Sequence, residues 1–210
     1  MTITITAGEG RNKLVSFEQQ HVILVEGSDD QAIIVALLRH ESLDEFHIHN
    51  MIGKDSWTGK LRAICRVRGF GRVMALGLVR DADSNGQAAW DSCRSTLTAA
   101  RLPVPRAPGL IQSGKPSVAV AIVPNPSLTG AIEDVCLPSF EQTNMACVEN
   151  YFNCLDHSAD RTGKAAVQAY LAGLQPSYKD LTAAARDGAL NLAHHAFDDL
   201  RMFLHELDSA

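Results

Sequence analysis

The apolar positions of the chain fall into short β-branched runs set between stretches of helical period. Residues 21–25 (HVILV) predict a strand. Gly27-Ser28-Asp29-Asp30 punctuates it, and residues 31–40 (QAIIVALLRH) read as a helix with an Asp near its start. Residues 46–52 (FHIHNMI) predict a second strand, 53–59 a loop and 60–68 a helix. Residues 72–80 (RVMALGLVR) predict a third, more buried strand that ends at Asp81, and a polar turn leads to a helix over 87–100. Residues 101–117 hold four prolines and two glycines and predict a loop of a length that is often functional. A fourth strand, 118–123 (VAVAIV), is stopped by Pro124 and Pro126. Beyond Gly130 the strand signals fade, and helices are expected over 130–137, 140–155, 163–174 and 192–207.

Strands that alternate with helices and are apolar throughout imply an α/β fold. The expectation is a mostly parallel four-stranded sheet with helices on both faces and a helical C-terminal extension. The boundaries are a lead-in segment 1–20, an α/β domain 21–137 and an extension 138–210 packed on it. Ligands of such sheets bind beyond the carboxyl ends of the strands. Acids stand at those ends: Glu26 after the first strand, Asp81 and Asp83 after the third, Glu133 and Asp134 after the fourth. In an extended segment residues i and i+2 face one side, so Asp81 and Asp83 are expected to point together. Clustered carboxylates repel unless a cation joins them, and hard oxygen donors suit Mg²⁺ or Mn²⁺. For Asp29 and Asp30 the competing reading is a helix cap.

Composition narrows the class. A hydrophobic fraction of 46% over 210 residues allows a sizeable core. The net charge of −5 argues against broad electrostatic coating of DNA, though a local basic patch beside a metal would suffice. Five cysteines show no CxxC pair, which fits a reducing cytoplasm. The first residues carry no apolar run of signal-peptide length, and no stretch suits a membrane span.

HVILVEGSDD resembles the first motif of the Toprim domain, an apolar strand followed by Glu-Gly-x-x-Asp, here Glu26, Gly27 and Asp30. GLVRDADSN resembles its second motif, an Asp-x-Asp at a strand end. The segment VAIVPNPSLTGAIEDVCL and the tail are similar to the small stand-alone DUF3226 group, relatives of the OLD-type nucleases. The resemblance implies that Asp81 and Asp83 bind Mg²⁺ (or Mn²⁺), with Asp30 as a further ligand. It implies that Glu26 is a general acid/base or a further ligand. Glu133 and Asp134 would serve a second ion, and Lys164 would reach the scissile phosphate, where a surface lysine is the plain alternative. Two ions would clamp the attacking and leaving oxygens of a phosphate displacement.

Lys54, Lys60, Arg62 and Arg66 belong to a basic run, read either as a phosphate-backbone contact or as a solvated helix face. His194, His195 and His205 read as surface or packing residues on one helix, with the adjacent pair on different faces. Cys147 and Cys154 read as core, as do Trp57 and Trp90. The implied function is metal-dependent phosphodiester chemistry on DNA or RNA, with loop 101–117 able to gate a strand's path. A non-enzymatic nucleic-acid-binding or partner-regulating module and an aspartate-nucleophile phosphatase are the alternatives. A partner protein and a homodimer stay open, and no membrane partner is expected.

Overall fold

The computed structural model describes residues 2–7, 16–53, 55–155 and 163–210. Six strands form one sheet: β1 (Thr4–Ala7), β2 (His21–Val25), β3 (Phe46–Asn50), β4 (Ala75–Asp81), β5 (Ile111–Gln112) and β6 (Ser117–Val123). Their order is β1-β3-β2-β4-β6-β5. Every neighbouring pair is parallel except β5 with β6. Among the described residues the α-helices are α1 (Ser28–His40), α2 (Trp57–Ile64), α3 (Gly86–Ala100), α4 (Ile132–Cys136), α5 (Gln142–Cys154), α6 (Gly163–Ala172), α7 (Leu181–Arg186) and α8 (Asp198–Asp208).

The strands are buried on both faces, as their unbroken apolar runs require. Alternation divides them: Ile23, Val25, Ala75 and Val79 pack with α1, α4, α7 and α8, while Val22, Leu24, Leu76 and Leu78 pack with α2 and α3. Gly77 lets α8 lie close on β4, since a Cβ there would stand 2.5 Å from Leu207 Cδ1 and 2.8 Å from Phe203 Cζ. Helices from the last third of the chain share the first of these cores and have none of their own. Thr182 at the start of α7 donates to Asp29 Oδ1 at 2.8 Å, joining the tail to the first turn of α1.

Four expected strands are present, and two more extend the sheet. The lead-in contributes β1, which pairs with β3; the loop 101–117 contributes β5. That loop runs beside the outer edge of β6, where Gly109 N–H donates to Val120 O at 2.8 Å. The third strand begins at Ala75 rather than at residue 72. The second helix ends at Ile64, so Arg66 lies in the turn beyond it and shares no helical face with Arg62. The helix expected over 192–207 is only α8, preceded by a tight turn at His195–Phe197. The rings of His194 and His195 therefore lie together, centroids 4.1 Å apart and tilted by 36°, instead of pointing to different faces. Cys147 and Cys154 are exposed rather than core. Trp57 and Trp90 are buried. No helix among the described residues is long and apolar enough to cross a membrane.

Candidate carboxylate site at the switch point of the sheet

After β2 the chain first adds β3 on one side and then β4 on the other. The crevice at the carboxyl ends of β2 and β4 is thus the topological switch point, where open parallel sheets hold ligands. Glu26 follows β2, Asp81 ends β4, and the first turns of α1 and α4 approach the same edge.

The two helices begin alike. Gly27 N–H donates to Asp30 Oδ2 at 2.8 Å, and Ala131 N–H donates to Asp134 Oδ2 at 2.8 Å. Each carboxylate closes its own helix start, where the backbone N–H groups lack intrahelical acceptors. Capping does not exhaust Asp30: it is only 3% exposed, and its Oδ1 is buried with no hydrogen-bond partner. Asp134 is packed against the backbone of Gly130 and Gly163, at the start of α6. Glu133 is buried beside it and meets Lys164 Nζ at 3.6 Å.

Asp81 Oδ1 accepts from Ile132 N–H at 3.1 Å. Burial, then the charges of Asp30, Glu26 and Glu133, push its pKa up to about 9. Burial also raises Asp30 to about 7; the Gly27 hydrogen bond opposes this, and Glu26 and Glu133 add to it. Asp30, Asp81, Glu26 and Glu133 therefore form one interacting group. The charges raising Asp81 do not include Asp83 among the principal ones. The i, i+2 argument requires extended backbone, and Asp83 has φ of 50°, with its N–H donating to Gly130 O at 2.8 Å. The turn thus re-aims Asp83 relative to Asp81.

The described residues contain no ready-made cage of three or more His, Cys, Asp or Glu side chains around an ion position. The donor chemistry nevertheless suits a hard divalent cation: buried carboxylates, one with an orphaned oxygen. Lys164 meets this group only through Glu133, and its side chain is 63% exposed. Lys60 spends two N–H groups on the carbonyls of Met51 and Ile52, at 2.6 and 3.0 Å. Arg62 and Arg66 are exposed, and Lys54 lies outside the described residues.

Sequence reasoning missed Arg80. Its guanidinium is buried, donates from Nε to Glu26 Oε2 at 2.8 Å and lies 4.5 Å from the centroid of the Trp57 ring. The signal was present as a charge inside an otherwise apolar strand.

Two solved structures of the C-terminal region of the Xanthomonas campestris pv. campestris OLD protein resemble this fold. One, phased with mercury, has a TM-score of 0.50 at 12% identity over 92% of this chain and 98% of that one. The other, phased with platinum, has a TM-score of 0.52 at 10% identity over 92% and 95%. No curated protein matches. A family model described as "Protein of unknown function (DUF3226)" matches residues 20–208, nearly the whole chain, and the chain belongs to that family.

Proposed function

We propose that this protein is a divalent-metal-dependent nuclease of Toprim type, close to the OLD nucleases. The observation that carries the reading is the buried, unpartnered Asp30 Oδ1 beside Asp81, Glu26 and Glu133 at the switch point. An ion outside the chain is one of the things that complete such a group, and the neighbouring carboxylates favour it here. Asp30, Asp81 and Glu133 would hold Mg²⁺ or Mn²⁺, with Asp83 and Asp134 at the rim. The ion would polarise a phosphodiester and lower the pKa of a bound water. Glu26, held by Arg80, keeps a fixed carboxylate at the mouth of the site to accept a proton. Lys164 supplies positive charge next to Glu133.

The test is incubation with single- and double-stranded DNA and RNA in Mg²⁺ or Mn²⁺, beside Asp81→Asn, Asp83→Ala and Glu26→Gln. Metal-dependent cleavage is expected, lost in Asp81→Asn and Glu26→Gln. Cleavage that persists in both sinks the assignment.

A second reading, a module that binds nucleic acid or regulates a partner without turnover, draws on the missing preformed ligand cage among the described residues. Tight binding with no cleavage in any metal would establish it.

A further inference from the structure

We propose that Arg80 is a preorganised phosphate-binding residue of this site, presenting the end of its guanidinium to a non-bridging oxygen of a nucleic-acid phosphodiester. The inference rests on the nuclease reading for its substrate class, and on a separate set of contacts for its geometry.

Arg80 is 5% exposed, and a closed ring of four contacts fixes it. Its Nε donates to Glu26 Oε2 at 2.8 Å. The Glu26 carbonyl accepts from Gly53 N–H at 2.9 Å. The Gly53 carbonyl accepts from Trp57 Nε1 at 2.9 Å. The Trp57 ring then lies against the guanidinium, 4.5 Å from centroid to Cζ. The body of the side chain is thus clamped between an aromatic face and a carboxylate, an arrangement that suits a planar, weakly hydrated guanidinium better than an ammonium.

One hydrogen bond, from Nε, is the whole of its donor use among the described residues. The two terminal nitrogens carry four further N–H groups. Neither has an acceptor among the described residues, and neither is among the fully enclosed side-chain atoms that lack a partner. A counter-ion present only to neutralise Glu26 would turn this edge of the guanidinium towards the carboxylate in a two-point pair. Here Glu26 takes the side nitrogen and leaves the fork open. That fork lies at the carboxyl edge of β4, one residue before Asp81. An anion bound there would meet donors whose rotamer entropy is already spent.

The experiment measures binding of a 5′-fluorescein single-stranded DNA dodecamer by anisotropy in EDTA, over a series of salt concentrations. Wild type is compared with Arg80→Gln and Arg80→Lys, folding being checked by circular dichroism. Arg80→Gln is expected to weaken binding about 10- to 100-fold, the scale of charge-assisted hydrogen bonds. It should also flatten the slope of log affinity against log salt by about 0.7, one phosphate contact on a single strand. Arg80→Lys should keep the slope and lose affinity. It decides the question if the glutamine variant does not fold. Wild-type affinity in either folded variant overturns the proposal, whatever the cleavage assay gives. Binding lost in Arg80→Gln by a protein that never cleaves would sink the nuclease reading and retain Arg80. A wild type that binds no oligonucleotide sinks both.

Discussion

Raising the pH above neutrality should destabilise this protein in the absence of metal, because the fold holds a proton on Asp81 that the unfolded chain releases. Burial and neighbouring carboxylates lift Asp81 from 3.8 to about 9, and Asp30 from 3.8 to about 7. A carboxyl raised in the fold stabilises fully below its unfolded pKa, and that stability is lost as pH climbs towards the folded value. Burial lowers His47 and His49 from 6.5 to about 4, with His49 adding for the first and Lys60 for the second. Their effect has the opposite sign: stability is present above 6.5 and lost as pH falls towards 4. Between about pH 4.5 and 6.5 two groups of each sign oppose one another, and stability is expected to be nearly flat. From pH 7 to 8.5, before the buried thiols count strongly, Asp81 dominates, because the remaining titration of Asp30 and that of the two histidines have opposite signs and nearly cancel. One proton of difference is worth about 1.4 kcal/mol per pH unit, hence a loss of about 2 kcal/mol across that interval. Asp81→Asn can keep the acceptor for Ile132 N–H and removes the titration. Urea unfolding followed by the fluorescence of buried Trp57 and Trp90, in EDTA, measures both proteins. A wild type as stable at pH 8.5 as at 7, or a variant that falls as steeply, refutes the reasoning.

Three further outcomes are expected. Gly77→Val should cost about 1–3 kcal/mol in the same unfolding assay, because its side chain would drive Leu207 and Phe203, and with them α8, off the sheet; unchanged stability would refute that packing. In the native protein a thiol reagent read by mass spectrometry should label Cys147 and Cys154 quickly, and Cys93 and Cys136 only after unfolding, since burial also lifts the thiol pKa values of the latter pair. If Asp30 and Asp81 ligate the proposed ion, calorimetry in buffers of different ionisation enthalpy should find about two protons released per ion at pH 6 and about one at pH 8; no release at either pH would remove them from the ligand set.

What the sequence disclosed, and what it hid, follows the length scale of each signal. β2 is HVILV as expected, since His21 and four apolar residues bounded by Glu-Gly-Ser admit little else. β1 reads locally as a lead-in although Thr4–Ala7, TITA, alternates polar and apolar positions; its partner β3 lies about 40 residues away, beyond any local pattern. α7 spans six residues, too few to show a helical period, and only Asp180 capping Ala183 N–H marks its start. The acids at the strand ends were legible because an apolar strand gives a terminal carboxylate no packing role. Asp30 gave half of its role to the capping pattern, and the orphaned Oδ1 is visible only in three dimensions. Asp83 failed the alternation argument because Asp tolerates the left-handed backbone that turns need.

Arg80 was overlooked for a reason that also explains how the site manages its charge. Alternation along β4 sends Leu76, Leu78 and Arg80 to the side of α2 and α3, and Ala75, Val79 and Asp81 to the side of α1 and α4. Glu26 continues the Val22 and Leu24 face of β2, so the Glu26–Arg80 pair sits on the α2–α3 side of the edge. Asp81 belongs to the other face, with Asp30 and Glu133, yet is near enough for the charge of Glu26 to act on it as well. Two devices therefore hold like charges together. On one side a buried guanidinium neutralises a single acid; on the other, protons on Asp30 and Asp81 take the place of a cation, with exposed Lys164 helping Glu133. A proton is the one of these that a divalent ion displaces without moving the chain. The two faces thus differ: the fixed Arg–Glu pair keeps its charges, and the protonated carboxyls are the groups that would give up their protons to the proposed ion.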